Sequence, residues 1–319
     1  MKKFISIEDV DDLQSLINKA LEIKANPHTE PTKGKNKIIG LVFLNSSLRT
    51  RLSSQIAAQN LGMNVLVLNA VQEAWNLEYN DGAVMNAGTV VHIKDAIEVL
   101  NQYCDVIAVR CFAGMKSKND DTNESILSQF LKYAKVPVVS LESATRHPLQ
   151  SLADCITMTE NWKEKRKPKV VLTWAPHVKP IAHAVANSFS EWMQAMEVDF
   201  VIANPEGYDL DPKFVKNTPV VHNQEEALKD ADFIYVKNWS SFEDYANMPK
   251  LKEDWTLNAE KLQITNEAKV MHCLPVRRNV ELSDEVIDGP NSIIYQQAKN
   301  RIFSAQTVFS EILDELNAQ

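Results

Sequence analysis

Apolar and polar positions follow two periods along this chain, one helical and one extended. Residues 8–24 place Val10, Leu13, Leu16, Ile17, Ala20, Leu21 and Ile23 at helical spacing, after which Pro27 and Pro31 break the pattern. The continuous apolar run 38–43 predicts a buried strand, and 52–61 returns to the helical period. Short strand-type runs follow at 65–68, 106–109, 136–139, 170–173, 200–202, 233–236 and 270–271. Helical stretches lie between them at 92–101, 126–134, 151–161, 181–196 and 225–228. The last of the chain, 296–316, reads as one or two amphipathic helices. Residues 69–91 keep no period and predict a long loop, and 116–123 predict a polar surface loop.

Strand and helix alternate once through each half. That pattern predicts an α/β protein with two doubly wound parallel sheets. The charged run Lys163-Glu164-Lys165-Arg166-Lys167 reads as a solvated boundary between the halves. Ligands of such sheets sit beyond the carboxyl ends of the strands. Arg49, Arg110, His147, Gln150, Lys237 and His272-Cys273-Leu274-Pro275 all fall at predicted strand ends.

The turn Ser47-Leu48-Arg49-Thr50-Arg51 joins the first long strand to its helix. A helix start offers unpaired N–H groups and the positive end of the dipole. With two hydroxyls and two guanidiniums beside them, this is a place for a phosphate or another compact anion. Arg110, His147 and Gln150 offer donors to a carbonyl oxygen. Backbone carbonyls beside Cys273 and Leu274 could receive an NH₂ group. A ligand with phosphate, carbonyl and amide parts suits all three clusters.

Composition narrows the classes. The chain has 319 residues, 45% hydrophobic and 24% charged, which are globular values with room for two cores. A net charge of −8 argues against a general binder of nucleic acid or anionic membranes. Acids follow Met1-Lys2-Lys3 where a signal peptide needs an apolar run, and the four cysteines form no CxxC pair. A cytoplasmic protein with reduced thiols is expected. The eight glycines make neither GxGxxG nor a P-loop. HExxH, GxSxG and any compact His/Cys/carboxylate set are missing, so neither a metal nor another cofactor is expected.

Ser47-x-Arg49-Thr50-Arg51, His147-Pro148-x-Gln150 and His272-Cys273-Leu274-Pro275, in that order, resemble the signatures of the aspartate/ornithine carbamoyltransferase family. The extended stretches 43–51, 172–177 and 272–279 resemble the branch that acts on N-acylated ornithines. The segment Ala186-Asn187-Ser188-Phe189-Ser190-Glu191-Trp192 lacks the Asp-x-x-x-Ser-Met-Gly motif of enzymes that take free ornithine.

The resemblance implies a carbamoyl-phosphate domain over 1–150, with 290–319 returning to it through the C-terminal helix, and an acyl-ornithine domain over 151–289. It implies a phosphate held by Ser47, Leu48, Arg49, Thr50 and Arg301, and catalysis by Arg49, Arg110, His147 and Cys273. Gln150, Cys273 and Leu274 would fix the carbamoyl NH₂. It also implies a homotrimer in which Trp75 reaches a neighbouring site. Glu142, Asn187, Lys237, Leu274 and Arg277 would meet the acceptor. Acetyl-type relatives place a glutamate in the loop around position 90, and succinyl-type relatives a proline. Val90 would not repel a succinyl carboxylate as a glutamate would. N-succinyl-L-ornithine is therefore the expected acceptor, in arginine biosynthesis, with N-acetyl-L-ornithine the alternative. A non-catalytic phosphate-binding relative is the reading from another class.

Overall fold

The computed structural model describes residues 1–70, 76–248 and 254–318. The chain divides into two compact units, Met1–Leu149 with Arg301–Gln319, and Gln150–Asn300. Residues 290–300, assigned to the first domain from sequence, therefore lie in the second unit. The charged run 163–167 is no boundary either. It lies inside the second unit, where Arg166 makes a bidentate pair with the buried Asp232 at 2.6 and 2.7 Å.

In chain order, the first unit holds β1 (Lys3–Phe4), α1 (Leu13–Ala25), β2 (Ile38–Phe43), α2 (Leu48–Asn60), β3 (Asn64–Asn69), β4 (Leu77–Glu78), β5 (Val91–His92), α3 (Ile93–Tyr103), β6 (Val106–Arg110), α4 (Lys118–Thr122), α5 (Ser125–Tyr133) and β7 (Val138–Glu142). Helix α6 (Pro148–Asn161) carries the chain into the second unit. There follow β8 (Lys169–Trp174), α7 (Ala184–Met193), β9 (Asp199–Ala203), α8 (Pro212–Val215), β10 (Val220–Val221), α9 (Gln224–Leu228), β11 (Phe233–Lys237), α10 (Ala259–Leu262), β12 (Lys269–Met271) and α11 (Asp284–Ile287). A single helix, α12 (Ile294–Asn317), runs back into the first unit.

The first sheet has the order β1-β7-β6-β2-β3 and the second β10-β9-β8-β11-β12, with every pairing parallel. The second sheet starts at its central strand β8 and grows outward on both sides; the first grows outward from β2, with the earlier β1 at its far edge beside β7. The strand order reverses between β2 and β6 in the first sheet, and between β8 and β11 in the second. Those reversals are the topological switch points where doubly wound sheets hold ligands. Strands β6, β7 and β11 are buried along their whole length, as parallel strands covered on both faces must be. Val42, Ile97, Ile107, Val109 and Phe130 centre the first core. Phe189 on Tyr235 and Trp174 on Tyr208 anchor the second, with ring centroids 4.2 and 5.1 Å apart.

Local chemistry sets several boundaries. Helix α2 is capped by Leu61, and Gly62 follows with φ 75°. A Cβ there would meet Pro31 O at 2.2 Å, so only glycine closes this turn. The polar loop predicted over 116–123 contains α4, capped by Ser117. Helix α6 begins at Pro148, before the start expected at 151, because a proline is tolerated where the helix N–H is unpaired anyway. Gln150 is thus in the first helical turn. Among the described residues, no helix is long and apolar enough to cross a membrane.

Candidate active site

Three chain segments bring polar groups to the first switch point. The turn after β2 leads to Ser47, the N-cap of α2, whose side chain makes no capping hydrogen bond. Helix α2 opens at Leu48, and the N–H groups of a first helical turn lie beyond the reach of the helix's own carbonyls. From the next strand, Arg110 ends β6 opposite Phe43 of β2. A register shift between Val109 and Arg110 sets Arg110 opposite Glu142 of β7.

Arg110 is almost fully buried. Its Nε and Nη2 donate to Glu142 Oε2 at 2.9 and 2.8 Å, and its Nη1 donates to the carbonyls of Asn45 and Ser46, each at 3.2 Å. The guanidinium therefore ties the Ser47 turn to the ends of both strands. The third segment runs from β7 to His147. Glu124 pins it, accepting from the N–H groups of Ala144 and Thr145 and from both the Ser143 and Thr145 hydroxyls.

Arg301 of α12 completes the group. Its Nη2 donates to Thr50 Oγ1 at 2.6 Å and to His147 Nε2 at 3.3 Å. An arginine can only donate, so Nε2 is the accepting nitrogen and the imidazole proton sits on Nδ1. Burial first, then the charges of Arg301, Arg110 and Arg49, hold His147 well below its ordinary pKa. The ring is therefore neutral, with an Nδ1–H that has no protein partner among the described residues. Three guanidiniums and a neutral N–H donor can bind a phosphate and stabilise a developing oxyanion. Arg51, part of the same turn, lines a cleft of ≈ 470 Å³ with Asn45, Ser46, Ser47 and Leu48.

The second unit carries its own polar cluster at the ends of β8, β11 and β12. Lys237 ends β11 opposite Trp174 and is 8% exposed, with Nζ donating to Asn238 O at 3.0 Å. Arg277 Nε donates to His177 Nε2 at 2.9 Å, which makes His177 the partner of a candidate acceptor-binding residue. Leu274 sits at φ 57° and donates its N–H to His272 Nδ1 at 2.9 Å, in a tight turn that buries Cys273. Asn187, in the first turn of α7, is 2% exposed, and its Oδ1 meets no protein donor among the described residues.

Glu281, Glu124 and Asp154 escaped the sequence reading. Glu281 accepts from Arg277 N at 2.8 Å and lies 3.4 Å from His272 Nε2. Burial pushes its carboxyl up, but His272, Lys237 and the Arg277 N–H together hold it below the ordinary range. No local spacing marks Glu281 or Glu124, whereas Asp154 follows Gln150 by one helical turn and could have been found that way. Val90 is 64% exposed, with its N–H bonded to Asn76 O at 2.8 Å. Trp75 lies outside the described residues. Among the described residues, no group of three His, Cys, Asp or Glu is set to hold a metal ion.

A protein with two parallel sheets and an arginine-lined polar cradle after its first long strand belongs to a definite class. Residues 2–160 match the carbamoyl-P binding domain, and 181–312 the Asp/Orn binding domain, of aspartate/ornithine carbamoyltransferases; the chain belongs to that family. It is 48% identical over 318 residues to the N-succinylornithine carbamoyltransferase of Bacteroides fragilis, covering 99% of this chain and 100% of that one. Identity to the N-acetylornithine carbamoyltransferase of Xanthomonas axonopodis pv. citri is 33% over 337 residues, covering 99% and 97%. Among solved structures, it resembles a glutamate-to-valine variant of N-acetyl-L-ornithine transcarbamylase complexed with carbamyl phosphate and N-succinyl-L-norvaline. The TM-score is 0.91 at 33% identity, over 98% of this chain and 100% of that one.

Proposed function

We propose that this chain moves the carbamoyl group of carbamoyl phosphate to the δ-amine of N-succinyl-L-ornithine, giving N-succinyl-L-citrulline and phosphate in arginine biosynthesis. The observation that carries the chemistry is the buried His147, whose Nε2 accepts from Arg301 and whose Nδ1 is left to donate, with Arg49 and Arg110 lowering its pKa further. Ser47, Arg49, Thr50, Arg301 and the N–H groups from Leu48 onward hold the phosphate. The uncharged amine attacks the carbamoyl carbon and a C–N bond forms. The carbonyl electrons move onto oxygen, where Arg110 and the His147 N–H meet them. Collapse breaks the C–O bond to phosphate, which leaves with the electron pair and takes the proton shed by the amine. No covalent enzyme intermediate is needed, so Cys273 is a positioning group. Orientation and fixed charge supply the rate.

Gln150 and the carbonyls of Cys273 and Leu274 accept from the carbamoyl NH₂. Both Arg110 contacts fall on Oε2 of Glu142, which leaves Oε1 to take an N–H of the acceptor. Lys237 and Arg277 suit its carboxylates, with Asn187 and Leu274 beside them. We read the enzyme as a cytoplasmic homotrimer in which Trp75 and Val90 serve a neighbouring subunit's site.

The succinyl assignment is supported by the full-length similarity to N-succinylornithine carbamoyltransferases and by Val90. The glutamate-to-valine neighbour, complexed with N-succinyl-L-norvaline, supports it further. Val90→Glu tests it, because a second negative charge repels the succinyl carboxylate. The ratio of kcat/KM for N-succinylornithine to that for N-acetylornithine falls by about tenfold or more. An unchanged ratio would overturn the acyl assignment.

A further inference from the structure

Gln150 is 1% exposed, and its two amide ends are unlike. Its Nε2 donates to Asp154 Oδ1 at 2.8 Å, while its Oε1 is buried and accepts from no protein group among the described residues. That direction is fixed from the far end of a short relay. The backbone N–H of His272 can only donate, and it bonds Gln297 Oε1 at 2.9 Å. Gln297 must then present its Nε2 to Asp154 Oδ1, at 2.7 Å. Asp154 and Gln297 are both 0% exposed, and Oδ1 accepts from two amides at once. Reversing the Gln150 amide would set oxygen against oxygen at Asp154 and bury an NH₂ in place of the acceptor.

We infer that Asp154 is a positioning residue that makes Gln150 a pure acceptor, so that the site selects an acyl phosphate carrying NH₂ on its acyl carbon. Acetyl phosphate, with a methyl in that place, is rejected. The inference rests on the proposed function, in which Gln150 meets the carbamoyl NH₂. It adds the residue that sets the selectivity, one turn along α6. A site built to receive an N–H discriminates against the analogue without it, because its buried acceptor is left unpaired.

Calorimetric titration of the full-length chain with carbamoyl phosphate, acetyl phosphate and inorganic phosphate tests it. The wild type binds carbamoyl phosphate at least about tenfold more tightly than acetyl phosphate, the size of one uncharged hydrogen bond. Asp154→Leu, which removes the acceptor, brings that ratio close to one and leaves the inorganic phosphate Kd within about twofold. Asp154→Asn, whose Oδ1 still accepts from both amides, keeps most of the ratio. Should the leucine variant not fold, Asp154→Ser carries the same expectation, since a hydroxyl donates as readily as it accepts. A merely structural role would weaken all three ligands alike, and a ratio unchanged in a folded leucine or serine variant overturns the inference. A wild type that binds carbamoyl phosphate no better than inorganic phosphate overturns the functional reading as well.

Discussion

His147 is where the chemistry of single residues is most constrained. It is buried, touches Arg301 and lies 3.9 Å from Glu142 Oε2. Its folded pKa is depressed, burial being the first cause. The unfolded chain, with an ordinary value near ~6.5, takes up a proton that the folded chain refuses. Stability is therefore full above about pH 6.5 and falls as the pH drops below it, by at most about 1.4 kcal/mol per pH unit from this residue. Denaturation of wild type and His147→Gln at pH 5.5 and 7.5 checks this, with a smaller pH difference expected in the variant. Arg110→Ala removes an oxyanion donor and strips Glu142 of its partner; kcat falls by about 10²–10³-fold in steady-state assays. Pairing of Arg110 with Glu142 was not legible in the sequence, because it depends on a register shift between strands 32 residues apart.

At the scale of elements, the long strands were legible because covered parallel strands are unbroken apolar runs. Short pieces were not: β1 has two residues and α4 five, too few for either period to register. The helix expected from 151 starts three residues earlier, at Pro148. The site depends on how such pieces are tied. Glu124, the N-cap of α5, holds the approach to His147 through bonds to Ser143, Ala144 and Thr145. Glu124→Ala removes them together. Its expected effects are faster amide exchange at Ala144 and Thr145, read by hydrogen exchange, and a carbamoyl phosphate KM raised about tenfold.

For the molecule as a whole, each of two parallel sheets presents polar groups at the carboxyl ends of strands beside its switch point. Strand ends singled out Arg49, Arg110, His147, Gln150 and Lys237 as candidates, whereas Glu142, Asn187, Arg277, Trp75 and Val90 came only with the family resemblance. The identity of the acceptor was less legible, since it turns on an exposed valine in a loop without period. Central to the account is that the chain catalyses carbamoyl transfer to an acylated ornithine. The direct measurement offers carbamoyl phosphate with N-succinylornithine, N-acetylornithine, ornithine or aspartate, and scores ureido product and phosphate together. The account predicts equal amounts of both products, with N-succinylornithine giving the highest kcat/KM. No ureido product with any acceptor would contradict it.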